Sequence, residues 1–157
     1  IVAHFGAKVM IHEAEAGCLA EGKMVMISSS NAFLKRMIKT VSGFSFMNVA
    51  GKPCQHDLTF SERFDLSRFG FNAYIMHTPG HSPGSASVIV DDEIAIVGDA
   101  MFGVVPWSVY PPFLQDERQL VSSWGKLLDT GCRLFLPSHG SGNSRQLLLK
   151  NYQRRIN

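Results

Sequence analysis

The sequence predicts a mixed α/β (α+β) fold, and three observations carry that expectation. Helix-like and strand-like segments alternate along the chain, and three strand-like runs follow one another closely between Phe71 and Asp99. The 157 residues, 45% hydrophobic, are also enough to build one core. No internal repeat, low-complexity tract or linker interrupts them, so residues 1–157 are expected to form a single domain or part of one.

The elements follow in order. AKVMIH (7–12) has the short apolar character of a buried strand, and EAEAGCLAE after it is rich in helix formers. NAFLKRMIK (31–39) sets Phe33, Leu34, Met37 and Ile38 on one helical stripe behind the cluster Ser28-Ser29-Ser30-Asn31, a source of an N-cap. Met24, Met26 and Met37 are expected to fill core space. Between Val41 and Gly70 the punctuation of Gly43, Gly51, Pro53 and Gly70 leaves DLTF and ERFDL as short edge strands. FNAYIMH, SASVIV and EIAIVGD then predict a meander, the last two strands joined by the tight pair Asp91-Asp92. DERQLVSSWGKLLDTG (116–131) predicts the best-marked helix: Asp116 stands at the N-cap with Gln119 three residues on, Leu120, Trp124, Leu127 and Leu128 share a face, and Gly131 takes the position after the C-terminus. RLFLPSHG is a strand ending at Pro137, and SRQLLLKNYQRR closes the chain as an amphipathic helix.

Composition excludes several functions. Lys and Arg number 15 against 13 Asp and Glu, with no long basic run, so nucleic acid is not an expected partner. No stretch approaches 18 apolar residues and the opening IVAHFGAKVMIH has no basic leader, so neither a membrane partner nor secretion is expected. Cys18, Cys54 and Cys132, three thiols at unrelated spacings, fit a reducing, cytoplasmic setting. The sequence reads as lacking a serine nucleophile elbow, a P-loop and a G-x-G-x-x-G, which leaves covalent acyl transfer and nucleotide binding without support.

The chemistry gathers at strand ends. Of the six histidines, His81 and His139, with the carboxylate of Asp99, follow predicted strands in turns that carry glycine: HTPGH, VGD and LPSHG. A sheet fixes the backbone there while Gly and Pro set the turn, so a side chain can be held in place for ligation. Imidazole and carboxylate together suit Zn²⁺ or a related transition ion. His77 is expected to hydrogen-bond across its turn, and His4, His12 and His56 are left without a role.

The three runs HTPGHSPGSASVIV, IAIVGDAMF and LFLPSHGSG resemble, in this order and at comparable spacing, the carboxy-terminal two-thirds of the metallo-β-lactamase superfamily. The resemblance implies an αββα sandwich, here incomplete, and a metal-dependent hydrolase cleaving an ester, thioester, lactone or amide through a metal-bound hydroxide. It implies His81 as a ligand of a first Zn²⁺, His139 of a second, and Asp99 as the catalytic carboxylate bridging both. Trp107 and Tyr110, in the proline-rich aromatic segment 101–113, are substrate-pocket candidates beside a small-molecule substrate. The superfamily's H-x-H-x-D-H segment is absent: no two histidines lie two apart and no Asp-His pair occurs. Half the ligands are therefore expected to be missing and the chain as it stands to be inactive. A weak metal binder or non-catalytic scaffold is the alternative reading. The lost strands are expected to leave an apolar sheet surface that a homodimer would cover.

Overall fold

The computed structural model describes residues 2–23 and 51–156. The helix expected at 31–39, its capping cluster and the methionines Met24, Met26 and Met37 lie outside the described residues. A one-turn helix α1 (Val2–Phe5) leads into strand β1 (Met10–His12) and helix α2 (Glu13–Glu21). Strands β2 (Leu58–Phe60), β3 (Arg63–Asp65), β4 (Ala73–His77), β5 (Ala86–Val90) and β6 (Ile94–Gly98) follow, with a 3₁₀ turn at Ser67–Phe69. Helix α3 (Glu117–Asp129), strands β7 (Leu134–Pro137) and β8 (Asn143–Ser144), and helix α4 (Arg145–Ile156) complete the order.

Among the described residues the strands form two sheets: a parallel pair β1–β2, and a six-stranded sheet in the order β3-β4-β5-β6-β7-β8. All neighbours in the larger sheet are antiparallel except β6 and β7. The Asp91-Asp92 turn between β5 and β6 has φ of 53° and 54°, the left-handed pair that a two-residue hairpin of right-twisted strands requires and that Asp tolerates better than most residues.

The core lies on one side of this sheet. Ile89, Ala95, Val97 and Phe135 alternate inward and meet Leu120, Trp124, Leu127, Leu128 and Leu148 from α3 and α4. Helix α3 begins as its sequence dictates: Asp116 Oδ1 accepts from the Gln119 N–H at 3.0 Å, and Gln119 Nε2 donates back to Asp116 Oδ2 at 3.3 Å. It ends at Gly131, whose φ of 81° only glycine adopts without strain. The strand expected from Ala7 starts at Met10, because Ala7–Val9 do not pair in a ladder and Val9 instead bonds through its carbonyl to the N–H groups of Asp57 and Leu58. Strand β8 carries no sequence signal, being two residues at the foot of a helix.

The two sheets meet at the end of β4. His12 stacks on His77, with ring centroids 3.8 Å apart at 22°. His12 also caps α2: its Nδ1 accepts from the Ala14 N–H at 3.1 Å, while Nε2–H donates to the Ser61 carbonyl at 2.6 Å. A histidine without an expected role is thus buried with both nitrogens used. Among the described residues the helix, sheet, sheet, helix elements implied by the resemblance are present in unequal halves, α2 with two strands and α3–α4 with six.

Candidate metal centre

Topology brings three strand ends together. Strands β4 and β6 run the same way on either side of β5, and β7 lies parallel to β6 with Gly98 opposite Pro137. Their carboxyl ends therefore share one edge, and the residues just beyond them are those of the 78–81 turn, Asp99 and Ser138-His139.

Each turn is tied down separately. In the HTPG turn the Thr78 hydroxyl bonds that of Ser87 at 2.8 Å, and Ser123 Oγ of α3 donates to the Pro79 carbonyl at 2.7 Å. Gly80 has φ of 134° and lies against the backbone of Leu120, where a Cβ would overlap the helix. Glycine is therefore required twice over, for conformation and for space. His77 keeps out of the centre, its Nε2–H donating to the Pro83 carbonyl across the turn at 2.8 Å. The turn holding Asp99 is pinned by the buried Trp124, whose indole N–H donates to the Ala100 carbonyl at 2.8 Å. The His139 turn is held by hydrogen bonds from the Ser138 N–H to the Gly98 carbonyl at 3.1 Å and from the Gly103 N–H to the His139 carbonyl at 2.8 Å. Helix α3 thus anchors two of the three turns directly.

The side chains converge on Asp99. His81 Nε2 lies 3.6 Å from Asp99 Oδ2, and His139 Nε2 lies 3.5 Å from Asp99 Oδ1. His81 Nδ1 is 2.8 Å from the Phe113 carbonyl, which can only accept, so Nδ1 carries a proton, and in the neutral ring the Nε2 lone pair is the one turned toward Asp99. Asp99 Oδ1 is buried without a hydrogen-bond partner. His81 is nearly buried, Asp99 is partly covered, and His139 is open to solvent with its ring 4.7 Å from that of Phe102.

These distances are too long for hydrogen bonds, which run about 2.7–3.2 Å. They match another arrangement: two ligand atoms each about 2.0–2.2 Å from one ion, at a tetrahedral angle, lie roughly 3.3–3.6 Å apart. A buried oxygen without a donor is also what a carboxylate leaves when its partner is a cation. The donor set therefore fits metal ions, with a limit. Among the described residues no group of three or more His, Cys, Asp or Glu side chains is spaced to hold one ion. The three residues instead form two pairs, His81 with Asp99 and Asp99 with His139, that share one carboxylate.

The aromatic segment divides. Tyr110 turns inward, its ring edge-on to Trp124 at 6.2 Å and beneath the Arg155 guanidinium at 3.9 Å, so packing uses the ring proposed for a substrate pocket. Trp107 projects into solvent. Phe113 belongs to the aromatic segment expected beside the site, but it meets His81 through its carbonyl and not its ring; Phe102, whose ring lies against His139, carries no local signal because that contact is made by folding. The absence of a serine elbow also needs correction, since Gly80-His81-Ser82-Pro83-Gly84 spells G-x-S-x-G. That run joins two strands rather than a strand and a helix, and Ser82, buried, shares its hydroxyl with Ser85 Oγ at 2.9 Å. It is a turn, not a nucleophile elbow.

No family model and no curated protein matches the chain. Solved structures do. An archaeal metallo-β-lactamase superfamily protein from Sulfolobus tokodaii superposes with a TM-score of 0.65 at 20% identity, over 99% of this chain and 60% of that one. BLEG-1, a B3 metallo-β-lactamase, gives 0.63 at 23% identity over 95% and 65%, and TTHA1623, solved in a di-iron-bound form, gives 0.58 at 19% over 96% and 66%. The chain has the metallo-β-lactamase fold, and it spans 60% and 65% of the length of the first two of these proteins. Among the described residues no helix is long and apolar enough to cross a membrane.

Proposed function

From the metallo-β-lactamase fold as premise, we propose that this chain carries the carboxylate-centred part of a two-cation site in a hydrolase of esters, thioesters, lactones or amides. The observation that supports it is the position of Asp99, with each carboxylate oxygen facing a different imidazole at 3.5–3.6 Å and one of them buried without a donor. Asp99 and His81 would hold one ion, Asp99 and His139 the other, and Zn²⁺ suits imidazole and carboxylate. A divalent ion bound there supplies Lewis acidity, polarising a carbonyl and lowering the pKa of water from near 16 to about 7. The chain's own part is positional. His81 is oriented by its Nδ1–H bond to Phe113, and Asp99 is held rigid through Trp124 and Ala100. His139 faces solvent, on the side from which a small molecule would enter. Water is added across the acyl bond, giving an acid and an alcohol, thiol or amine.

Two protein ligands per ion make a thin shell, so affinity is expected to be weak and reversible on dialysis. Calorimetric titration with Zn²⁺ tests the site. Saturable binding lost in Asp99→Ala, and reduced in His81→Ala and His139→Ala, supports it; binding indifferent to Asp99 overturns it. A second reading, a weak metal binder or scaffold without catalysis, is favoured by the lack of any three-ligand group among the described residues. Hydrolysis of p-nitrophenyl acetate by the zinc-loaded chain, above the rate of Asp99→Ala, would exclude the scaffold.

A further inference from the structure

The segment from Phe102 to Phe113 runs from one site histidine to the other. At its start the Gly103 N–H bonds the His139 carbonyl and the Phe102 ring lies against the His139 ring; at its end the Phe113 carbonyl accepts from His81. Between these ends the loop is braced. The Phe102 N–H donates to the Val109 carbonyl at 2.9 Å, and Tyr110 N–H to Ser108 Oγ at 3.1 Å. Asn143 and Asn151, both buried, reach the carbonyls of Phe102 at 3.2 Å and Trp107 at 3.4 Å.

These bonds hold the backbone of the loop in place between the two histidines. Its outward side chains are apolar: Val104 is 65% exposed, Trp107 66% and Phe113 40%. Single exposed apolar residues are ordinary, but several on one braced loop bordering a site mark a surface that binds. The loop also lacks charge. From Met101 to Gln115 there is no Lys, Arg, His, Asp or Glu, and Arg155, whose guanidinium covers the inward Tyr110 ring, lies 3.7 Å from the Glu117 carboxylate, so the outward side of the loop offers a hydrocarbon group side chains to cover it and gives an anionic group no cation of its own.

We propose that the 102–113 loop is the wall that receives the non-reacting part of the substrate, and that this part is an apolar acyl chain or ring rather than a phosphodiester or a charged group. The proposal rests on the hydrolase reading of the His81, Asp99 and His139 centre. Trp107 and Val104 are its specificity-determining residues.

The test is a calorimetric titration of the full zinc-loaded chain with the carboxylates acetate, butyrate, hexanoate and octanoate, the acids that such a hydrolase would release. Affinity is expected to rise by roughly twofold to fourfold per methylene, the gain of transferring CH₂ groups out of water. In Trp107→Ala combined with Val104→Ser the series should flatten, with octanoate within about twofold of acetate. Unchanged melting of the double variant, expected from the exposure of both residues, shows that the fold is kept. Equal affinity along the series, a gain that survives in the double variant, or no binding of any member overturns the proposal. In Asp99→Ala, loss of Zn²⁺ binding with the methylene gain retained keeps both readings. A Zn²⁺ affinity that ignores Asp99 while the gain persists removes the hydrolase centre and leaves the apolar wall.

Discussion

Asp99 is held against its own preference for water. One carboxylate oxygen is buried without a hydrogen-bond partner, and both oxygens face imidazole nitrogens, of which His81 Nε2 offers a lone pair when that ring is neutral. In the metal-free protein this is a local cost, kept because the turn is fixed by Trp124 and not by Asp99 itself. Asp99→Asn puts an N–H where one lone pair now meets another, so the metal-free variant is expected to melt higher by about 2–4 °C, the shift of roughly 1 kcal/mol in a chain of this size. The same variant should lose the stabilisation that added Zn²⁺ gives the parent; thermal denaturation with and without zinc reads both, and a lower melting point without metal would contradict the account. Gly80→Ala should do the opposite. A left-handed φ and overlap with Leu120 are expected to cost roughly 3 kcal/mol, measured by urea unfolding. The convergence of His81, Asp99 and His139 was legible in the sequence because each follows a strand in a glycine-bearing turn. The groups that orient them were not, since the Phe113 and Ala100 carbonyls look like any other backbone until the chain has folded. His12 was hidden for a related reason: its stack on His77 and its hydrogen bond to the Ser61 carbonyl join residues far apart in sequence.

Helix α3 is where sequence, packing and site meet. Its apolar face buries Leu120, Trp124, Leu127 and Leu128, and the same face sends Ser123 to Pro79 and Trp124 to Ala100. Trp124→Phe keeps most of the buried ring but leaves the Ala100 carbonyl unpaired, so a loss of about 1–3 kcal/mol is expected in chemical denaturation. Weaker Zn²⁺ binding should accompany it, because the Asp99 turn loses its tether; unchanged affinity would show that the turn is rigid without the helix. This helix was readable to the residue from Asp116 to Gly131, where caps and periodicity agree. The β1–β2 pair was less so, since three-residue strands carry almost no periodicity. Part of its attachment is electrostatic. Asp57 accepts from Lys8 Nζ and from the Val9 N–H, each at 2.8 Å, and the Lys8 bond, then the Val9 bond, lowers its carboxyl below the ordinary 3.8. A depressed folded value means that the unfolded chain binds the proton first as pH falls. The stabilisation is therefore complete above the ordinary value and disappears as pH drops through the lowered one. Asp57→Asn should flatten that acid limb of the melting temperature, an effect kept small by the exposure of the pair and screened by salt.

The six-stranded sheet has a second side, and its register shows what that side is made of. Phe64, Ile75, Val88, Ile96 and Leu136 are cross-strand neighbours in one row, and Val90, Ile94 and Leu134 in the next. None of them is fully buried, Ile96 being 48% and Leu134 37% exposed, whereas the residues between them in sequence form the core under α3 and α4. An alternating strand normally turns polar groups to water; β5, β6 and β7 instead turn apolar groups both ways, the pattern of strands covered on two sides. The sequence showed this as unbroken runs such as SASVIV and IAIVG, which periodicity alone could not assign to one face. A surface of this kind favours association over exposure, and its apolar rows offer a face that a pair of copies could share. Sedimentation is expected to show mass rising with concentration. Ile96→Lys, placed in the middle of the longer row, should return the chain to monomer and reduce binding of a hydrophobic dye while leaving Zn²⁺ affinity in place, since Ile96 points away from the core on which the site turns are anchored. A monomer at every concentration, with no dye bound, would mean that the face is covered within the chain itself.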